Sequence, residues 1–228
     1  MMSIPFEKFN AKATTFDPCN ACILAELSAK AYRQKGENND QWRLRTKEES
    51  KDWGFDPDHV YCFNHKGAQA ILLSDDEKII VAFRGSEEKL DWADNLNRRT
   101  EGAFKDRFGL KIHAGFYDYF NMIWNPYEDP KNPNLPECQG IEAILRQEIQ
   151  RSTFQTVWFT GHSLGGAVAA FGAAACVVED PTIIVHGVYT YGQPKVGGKL
   201  FAERFNQELG VKVFRFVNHN DIVPQVPT

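Results

Sequence analysis

The chain lacks a long apolar run. Its most apolar stretch, residues 167–178, is rich in small residues and falls short of the roughly 20 that a membrane-spanning helix needs. No transmembrane segment is therefore expected. An excess of positive charge is also missing: 26 Lys and Arg against 30 Asp and Glu leave a formal charge of −4, with no electrostatic footprint for nucleic acid. Residues 1–10 contain no continuous apolar segment of the secretory type. The expectation is a cytoplasmic protein, or one whose signal is not part of this sequence. Cysteine is sparse and odd in number, five in 228 residues, which argues against a disulfide framework.

The sulfur chemistry that remains is limited by local context. Cys19-x-x-Cys22 has redox spacing, but Asp17-Pro18 before it reads as a helix N-cap and first residue, and no strand precedes it. His59, Cys62 and His65 suggest zinc ligands to join that pair. In an extended segment over 60–63, however, Cys62 points away from both histidines. The thiols are expected to be buried and structural, with no metal and no organic cofactor.

What the chain does have is the balance of a soluble globule, 43% apolar and 25% charged, and enough length for one large α/β domain. Residues 17–34 carry Ile23, Leu24, Leu27, Ala31 and Tyr32 at helical spacing. Residues 35–58 are polar and broken by Gly36, Asn38-Asn39 and Asp56-Pro57, so they read as surface loop with some short helix. Residues 60–65, 68–74 and 78–84 read as strands, the last nearly continuous in apolar side chains and so buried on both faces. Residues 116–124 and 141–152 read as helices around a proline-rich loop at 125–140. A strand over 156–160, a helix after it, a strand over 182–191, a helix over 200–209 and a strand over 211–217 complete the alternation. It predicts a mostly parallel sheet covered by helices on both faces.

The chain is organised around Thr160-Gly161-His162-Ser163-Leu164-Gly165-Gly166. An apolar strand leads into it and an alanine-rich helix follows, the context of a nucleophile elbow, in which a serine sits on a strained strand-to-helix turn. Glycine is required at the flanks because a side chain there would collide with the neighbouring strand and helix. Ser163 is thus the candidate nucleophile. Reactive groups collect at the carboxyl ends of parallel strands, and two further points fall there: Ser86 after the strand over 78–84, and residues 218–224 after the last strand. Asp221 is the acid in the second, downstream of Ser163 in the order serine, acid, histidine that α/β-hydrolases follow. Between residues 87 and 97, Leu90, Ala93 and Leu96 share one helical face with Trp92 at its edge, a short amphipathic helix placed to be mobile.

Six stretches together resemble the class 3, fungal-type triacylglycerol lipase family. They are Phe83-Arg84-Gly85-Ser86, Asp91-Trp92-x-x-Asn95-Leu96, His113-x-Gly115-Phe116, the elbow, Tyr191-Gly192-Gln193-Pro194-x-Val196-Gly197 and Asn218-x-x-Asp221-x-Val223-Pro224. The resemblance covers the chain from about residue 60 onward. It implies an α/β-hydrolase fold and hydrolysis of acyl esters or lipids, with Ser163 as nucleophile and Asp221 as triad acid. It further implies an oxyanion hole from the N–H groups of Ser86 and Leu164, with the Ser86 hydroxyl assisting. Leu90, Trp92, Ala93 and Leu96 fall where the family carries its lid, which implies contact with lipid aggregates.

The departure from the pattern is a histidine. The family places its catalytic histidine tens of residues after the acid, and none follows Asp221 here. His59, His65, His113, His162, His186 and His219 are the six present. His162 is held inside the elbow, His186 falls mid-strand, His219 lies beside the acid, and His113 reads as structural. The expectation is a single hydrolase domain truncated at its C-terminal end, without its last strand or helix. Two other readings stay open: an esterase acting on phospholipids or aryl esters, and a non-catalytic member of the fold that binds acyl chains or a protein partner.

Overall fold

The computed structural model describes residues 5–86, 99–100, 112–152 and 155–226. In chain order the elements are α1 (Pro18–Lys30), α2 (Asn39–Asp52), β1 (Val60–His65), β2 (Ala68–Ser74), β3 (Lys78–Phe83), β4 (Arg99–Thr100), β5 (Ile112–His113), α3 (Ala114–Trp124), α4 (Gly140–Arg151), β6 (Thr156–His162), α5 (Leu164–Glu179), β7 (Val185–Tyr191), α6 (Lys199–Leu209) and β8 (Val213–Phe216). Six strands form one sheet in the order β1-β2-β3-β6-β7-β8. The pairings β1/β2 and β2/β3 are antiparallel, and β3/β6, β6/β7 and β7/β8 are parallel. The short pair β4/β5 stands apart from it.

The sheet divides the core in two because alternate residues of a strand face opposite sides. Ile80, Ala82, Trp158 and Tyr189 face α1 and α2, where they meet Ile23, Leu24, Leu27 and Trp42. Ile79, Val81, Phe83, Val157 and Phe159 face the other layer, with Phe120 and Trp124 of α3, Ile144 of α4, Phe171 of α5 and Phe201 of α6. Each fully buried Ile, Leu, Val or Phe among them contributes about 1.5–3 kcal/mol. β3 is buried along all but its first residue, as its continuous apolar run requires. β1 turns into β2 at Lys66-Gly67, both at positive φ, the conformation of the tightest hairpin turns.

Local chemistry sets the helix ends. Asp17 caps α1 by accepting from the N–H groups of Cys19 and Asn20 at 2.8 and 3.0 Å, with Pro18 at the first position. The polar stretch over 35–58, expected as loop with some short helix, holds a longer one, the fourteen-residue α2. Asn38 and Gln41 close a reciprocal capping box, and Trp42, Thr46 and Ser50, four residues apart, make its buried stripe. A stripe that narrow, with two of its three members polar, leaves little apolar periodicity to detect. The thiols also differ from expectation. Cys62 and Cys176 are buried, but Cys19 and Cys22 are exposed on the first turn of α1 and Cys138 is half-buried.

A buried carboxylate ties α4 to the sheet edge. Glu148, 1% exposed, accepts from the Tyr61 hydroxyl at 2.6 Å, pairs with His59 Nδ1 at 3.2 Å and receives Arg151 Nε at 3.1 Å. Burial works against its charge, but hydrogen bonds from Tyr61, Ser74 and His59 outweigh it and hold the carboxyl below its ordinary value of 4.5. A depressed folded value means that its stabilisation is present above the unfolded value and is lost as pH falls through the folded one. Glu148→Ala is expected to cost about 3 kcal/mol at neutral pH, by leaving Tyr61, His59 and Arg151 partly unsatisfied. Urea melts at pH 7 and pH 4 check this: the gap between variant and parent should narrow in acid.

Candidate active site

β6 ends where the chain must reverse into α5, and the reversal is made at Ser163, with φ +56° and ψ −125°. That conformation costs a residue with a Cβ about 1–3 kcal/mol, and it persists because neighbouring backbone leaves no alternative. A Cβ on Gly161 would come 2.3 Å from the backbone of Gly165, and one on Gly165 would come 2.2 Å from the Phe83 carbonyl oxygen. The first turn of α5 therefore rests directly on the ends of β3 and β6. The Ser163 N–H donates to the Tyr191 carbonyl at 2.8 Å. Its side chain makes no capping bond to α5, so the hydroxyl stands outside the helix, half-buried.

Two candidate oxyanion donors lie on either side of this turn. Leu164 opens α5; N–H groups of a first helical turn have no intrahelical acceptor, and the summed peptide dipoles place partial positive charge there. Ser86 lies just past β3, whose Phe83 is in register with Gly161 of β6. A Cβ on Gly85 would stand 2.5 Å from the His162 carbonyl and 3.3 Å from Ser163 Cβ, so the segment carrying Ser86 runs against the elbow. Arg84 anchors that segment: its guanidinium donates to Gln69 Oε1 and, at 2.7 Å, to the Gly67 carbonyl.

Asp221 arrives from the loop after β8. Its N–H donates to the Asn218 carbonyl at 2.9 Å and its Oδ1 accepts the Val223 N–H at 3.0 Å, so a tight turn fixes the carboxylate. Oδ2 faces Gly192 and would lie 2.9 Å from a Cβ there; the His162 ring would lie 3.9 Å away from the same point. Gly192 has φ +61°, and both the angle and the crowding exclude a side chain. The structure thus brings Ser163, Leu164, Ser86 and Asp221 to the carboxyl ends of β3, β6, β7 and β8. Leu90, Trp92, Ala93 and Leu96, the expected lid, lie outside the described residues.

The six histidines are placed as follows. His113, 3% exposed, caps α3 by accepting the Phe116 N–H at Nδ1, 3.2 Å, and stacks on the Phe116 ring. That is the structural role its sequence position suggests. His59 pairs with Glu148, His65 stacks on Tyr127, and His186 Nδ1 meets the Ile184 carbonyl at 2.9 Å. His219 is exposed beside Asp221. His162, also exposed, bonds through Nδ1 to the Tyr32 hydroxyl at 3.1 Å. Tyr32 is the residue that sequence reasoning misplaced. It reads as part of the apolar face of the first helix, yet it lies past the end of α1 and turns to the elbow, a contact across 130 positions that no local pattern signals.

A mixed sheet with helices on both faces and a serine at such an elbow define an α/β-hydrolase fold. The family model described as Lipase (class 3) matches residues 80–228, and the chain belongs to that family. It is similar to phospholipase A1-Igamma2, chloroplastic, of Arabidopsis thaliana, 30% identical over 186 residues, which cover 69% of this chain and 34% of that protein. It is also similar to a lipase of Rhizomucor miehei, 31% identical over 160 residues, covering 69% of this chain and 40% of the other. Among solved structures, the lipase of Rhizopus microsporus var. chinensis superposes with a TM-score of 0.65 at 22% identity, over 94% of this chain and 71% of that one; likeness at that identity speaks to the fold. The chain thus spans little more than a third of the length of the two curated relatives. Among the described residues no helix is long and apolar enough to cross a membrane.

Proposed function

We propose that this chain carries the nucleophile, the oxyanion hole and the acid of a lipid carboxylic ester hydrolase. Ser163 Oγ attacks the acyl carbonyl, giving its proton to a base, and the N–H groups of Ser86 and Leu164, with the Ser86 hydroxyl assisting, receive the oxyanion. Its collapse breaks the ester C–O bond, the alcohol leaves with the proton the base returns, and water then cleaves the acyl-enzyme to the free acid and Ser163. The single observation that carries the reading is the strained Ser163 turn, locked by glycines whose every added Cβ would strike backbone or a packed side chain. Asp221 orients the base that takes the serine proton, a role for which none of the six histidines is an evident occupant. The unassigned base favours a second reading, a fold member that binds acyl chains without cleaving them. Hydrolysis of a dissolved short-chain ester and of an emulsified long-chain one, by the protein and its Ser163→Ala variant, tests both. Loss of turnover in the variant supports the first reading, and equal rates in the two proteins reject it.

The sequence of the segment between β3 and β4 adds an interfacial element to the proposal. Leu90, Trp92, Ala93 and Leu96 are the apolar surface it offers to a lipid aggregate. Trp92→Ala is expected to lower activity on the emulsion about tenfold while changing the rate on the dissolved ester less than twofold. Equal losses on the two substrates would reduce the segment to scaffold.

A further inference from the structure

We infer that Tyr32 is a positioning residue of this site, its hydroxyl a wedge that sets the oxyanion segment and the elbow at a fixed separation. The inference rests on the reading of Ser163 as nucleophile. Its ground is a point of close approach that involves three distant parts of the chain. The Tyr32 hydroxyl lies 3.1 Å from His162 Nδ1, the residue directly before Ser163. The same oxygen would be 2.3 Å from a Cβ on Gly85, the residue directly before Ser86. That virtual atom would also be 2.5 Å from the His162 carbonyl and 3.3 Å from Ser163 Cβ. The absence of a side chain at Gly85 therefore makes room for the phenol oxygen of Tyr32, just past α1, which sits between Gly85 and the His162 ring.

The tyrosine is itself held. Its N–H donates to the Ala29 carbonyl at 3.1 Å, in the turn that ends α1. Its carbonyl accepts Arg45 Nη2 of α2 at 3.1 Å. Arg45 Nε meets Glu37 Oε1 at 2.8 Å and Nη1 meets Glu49 Oε2 at 3.4 Å. The hydrogen bond from Arg45 holds the Glu37 carboxyl below its usual range, and the reciprocal bond from Glu37 raises Arg45. Tyr32 is thus anchored through its backbone by a charged network on the layer opposite α5.

The bond to His162 survives either charge state of the imidazole. A neutral Nδ1 accepts the phenol proton, and a protonated Nδ1 donates to the phenol oxygen. The effect is geometric: fixing the His162 ring fixes the backbone entering the positive-φ turn at Ser163. The oxyanion N–H groups are useful only when held within about 0.5 Å of the productive geometry, and Ser86 and Leu164 follow different strands, β3 and β6. The phenol also lines an open cavity of about 450 Å³ with Ala25, Ala29, His162 and Tyr191. Direct contact with substrate is thus the competing role, and the test separates the two.

The experiment measures Ser163 labelling by a fluorophosphonate with kinact and KI determined separately, in parent, Tyr32→Phe, His162→Gln and the double variant. The expected result is kinact reduced about tenfold in Tyr32→Phe with KI within about twofold, the size of one hydrogen bond lost at a positioned group. Little further loss is expected in the double variant, because both changes break the same link. An unchanged kinact, an additive double variant, or a loss confined to KI would overturn the inference, the last by making Tyr32 a contact of the cavity. Parent protein that fails to label at Ser163 would instead overturn the nucleophile reading. Should Tyr32→Phe not fold, by thermal melt, His162→Gln breaks the link from the other side: a similar tenfold loss supports the inference, and an unchanged kinact overturns it.

Discussion

Ser163→Ala is expected to abolish fluorophosphonate labelling and to remove ester turnover down to the residual given by binding and oxyanion stabilisation. Loss of a triad nucleophile costs on the order of four to six decades in kcat, because attack then falls to a bound water with no covalent intermediate. The substitution should be structurally quiet. Ser163 makes no capping bond to α5, so its hydroxyl has no part in the helix terminus, and alanine keeps the Cβ that the turn already accommodates. Thermal melting within about 2 °C of the parent checks that separation of chemistry from stability. Labelling that persists in the variant would reassign the nucleophile. If the parent labels at Ser163 but turns over esters only slowly, the missing factor belongs to the proton acceptor that Asp221 would orient.

Gly165→Ala should act in the opposite way, through the fold first. The added Cβ would come 2.2 Å from the Phe83 carbonyl oxygen and 2.9 Å from the Arg84 carbonyl carbon. These are backbone atoms of the central sheet and of the segment that leads to Ser86, so no side-chain rotation relieves the contact. α5 would have to lift from β3, opening the core between Leu164, Ala167 and Phe83. The cost is expected to reach about 3 kcal/mol or more, seen as a lower urea midpoint and a melting temperature depressed by about 6–12 °C in a domain of this size. Gly54→Ala is the control. Its φ is +84° but no atom lies within 4 Å of the added Cβ, so only the left-handed backbone is penalised, at about 1–2 kcal/mol. A Gly165 variant no worse than the Gly54 variant would show that α5 is free to shift, and the account of how the elbow is locked would fall.

Where the sequence was informative, the determinants are short in range. Gly161-x-Ser163-x-Gly165 is readable because strand, turn and helix are contiguous and each glycine meets backbone only four residues away or on the adjoining strand. Asp17-Pro18 is readable as a helix start because capping is settled within three residues. β3 is readable because a strand covered on both faces has no polar position to spare. α2 exceeded the reading of its stretch as loop with some short helix because only Trp42, Thr46 and Ser50 face inward, and a helix with so narrow a buried side carries almost no apolar signal; its capping box at Asn38 and Gln41 was the one local mark.

By itself the sequence determined the alternation of strands and helices, the serine at the elbow, the acid downstream of it and the family to which those motifs belong. Tertiary structure decided the strand order, with two antiparallel strands joined to four parallel ones, and the assignment of α1 to the face opposite α5. It also decided that Tyr32 meets His162 beside Gly85, and that Asp221 closes on Gly192. The physical reason is distance along the chain. Hydrogen bonds within a turn and burial periodicity within an element are written in neighbouring residues. The placement of a phenol oxygen from residue 32 between Gly85 and the His162 ring depends on how separate segments pack on one sheet.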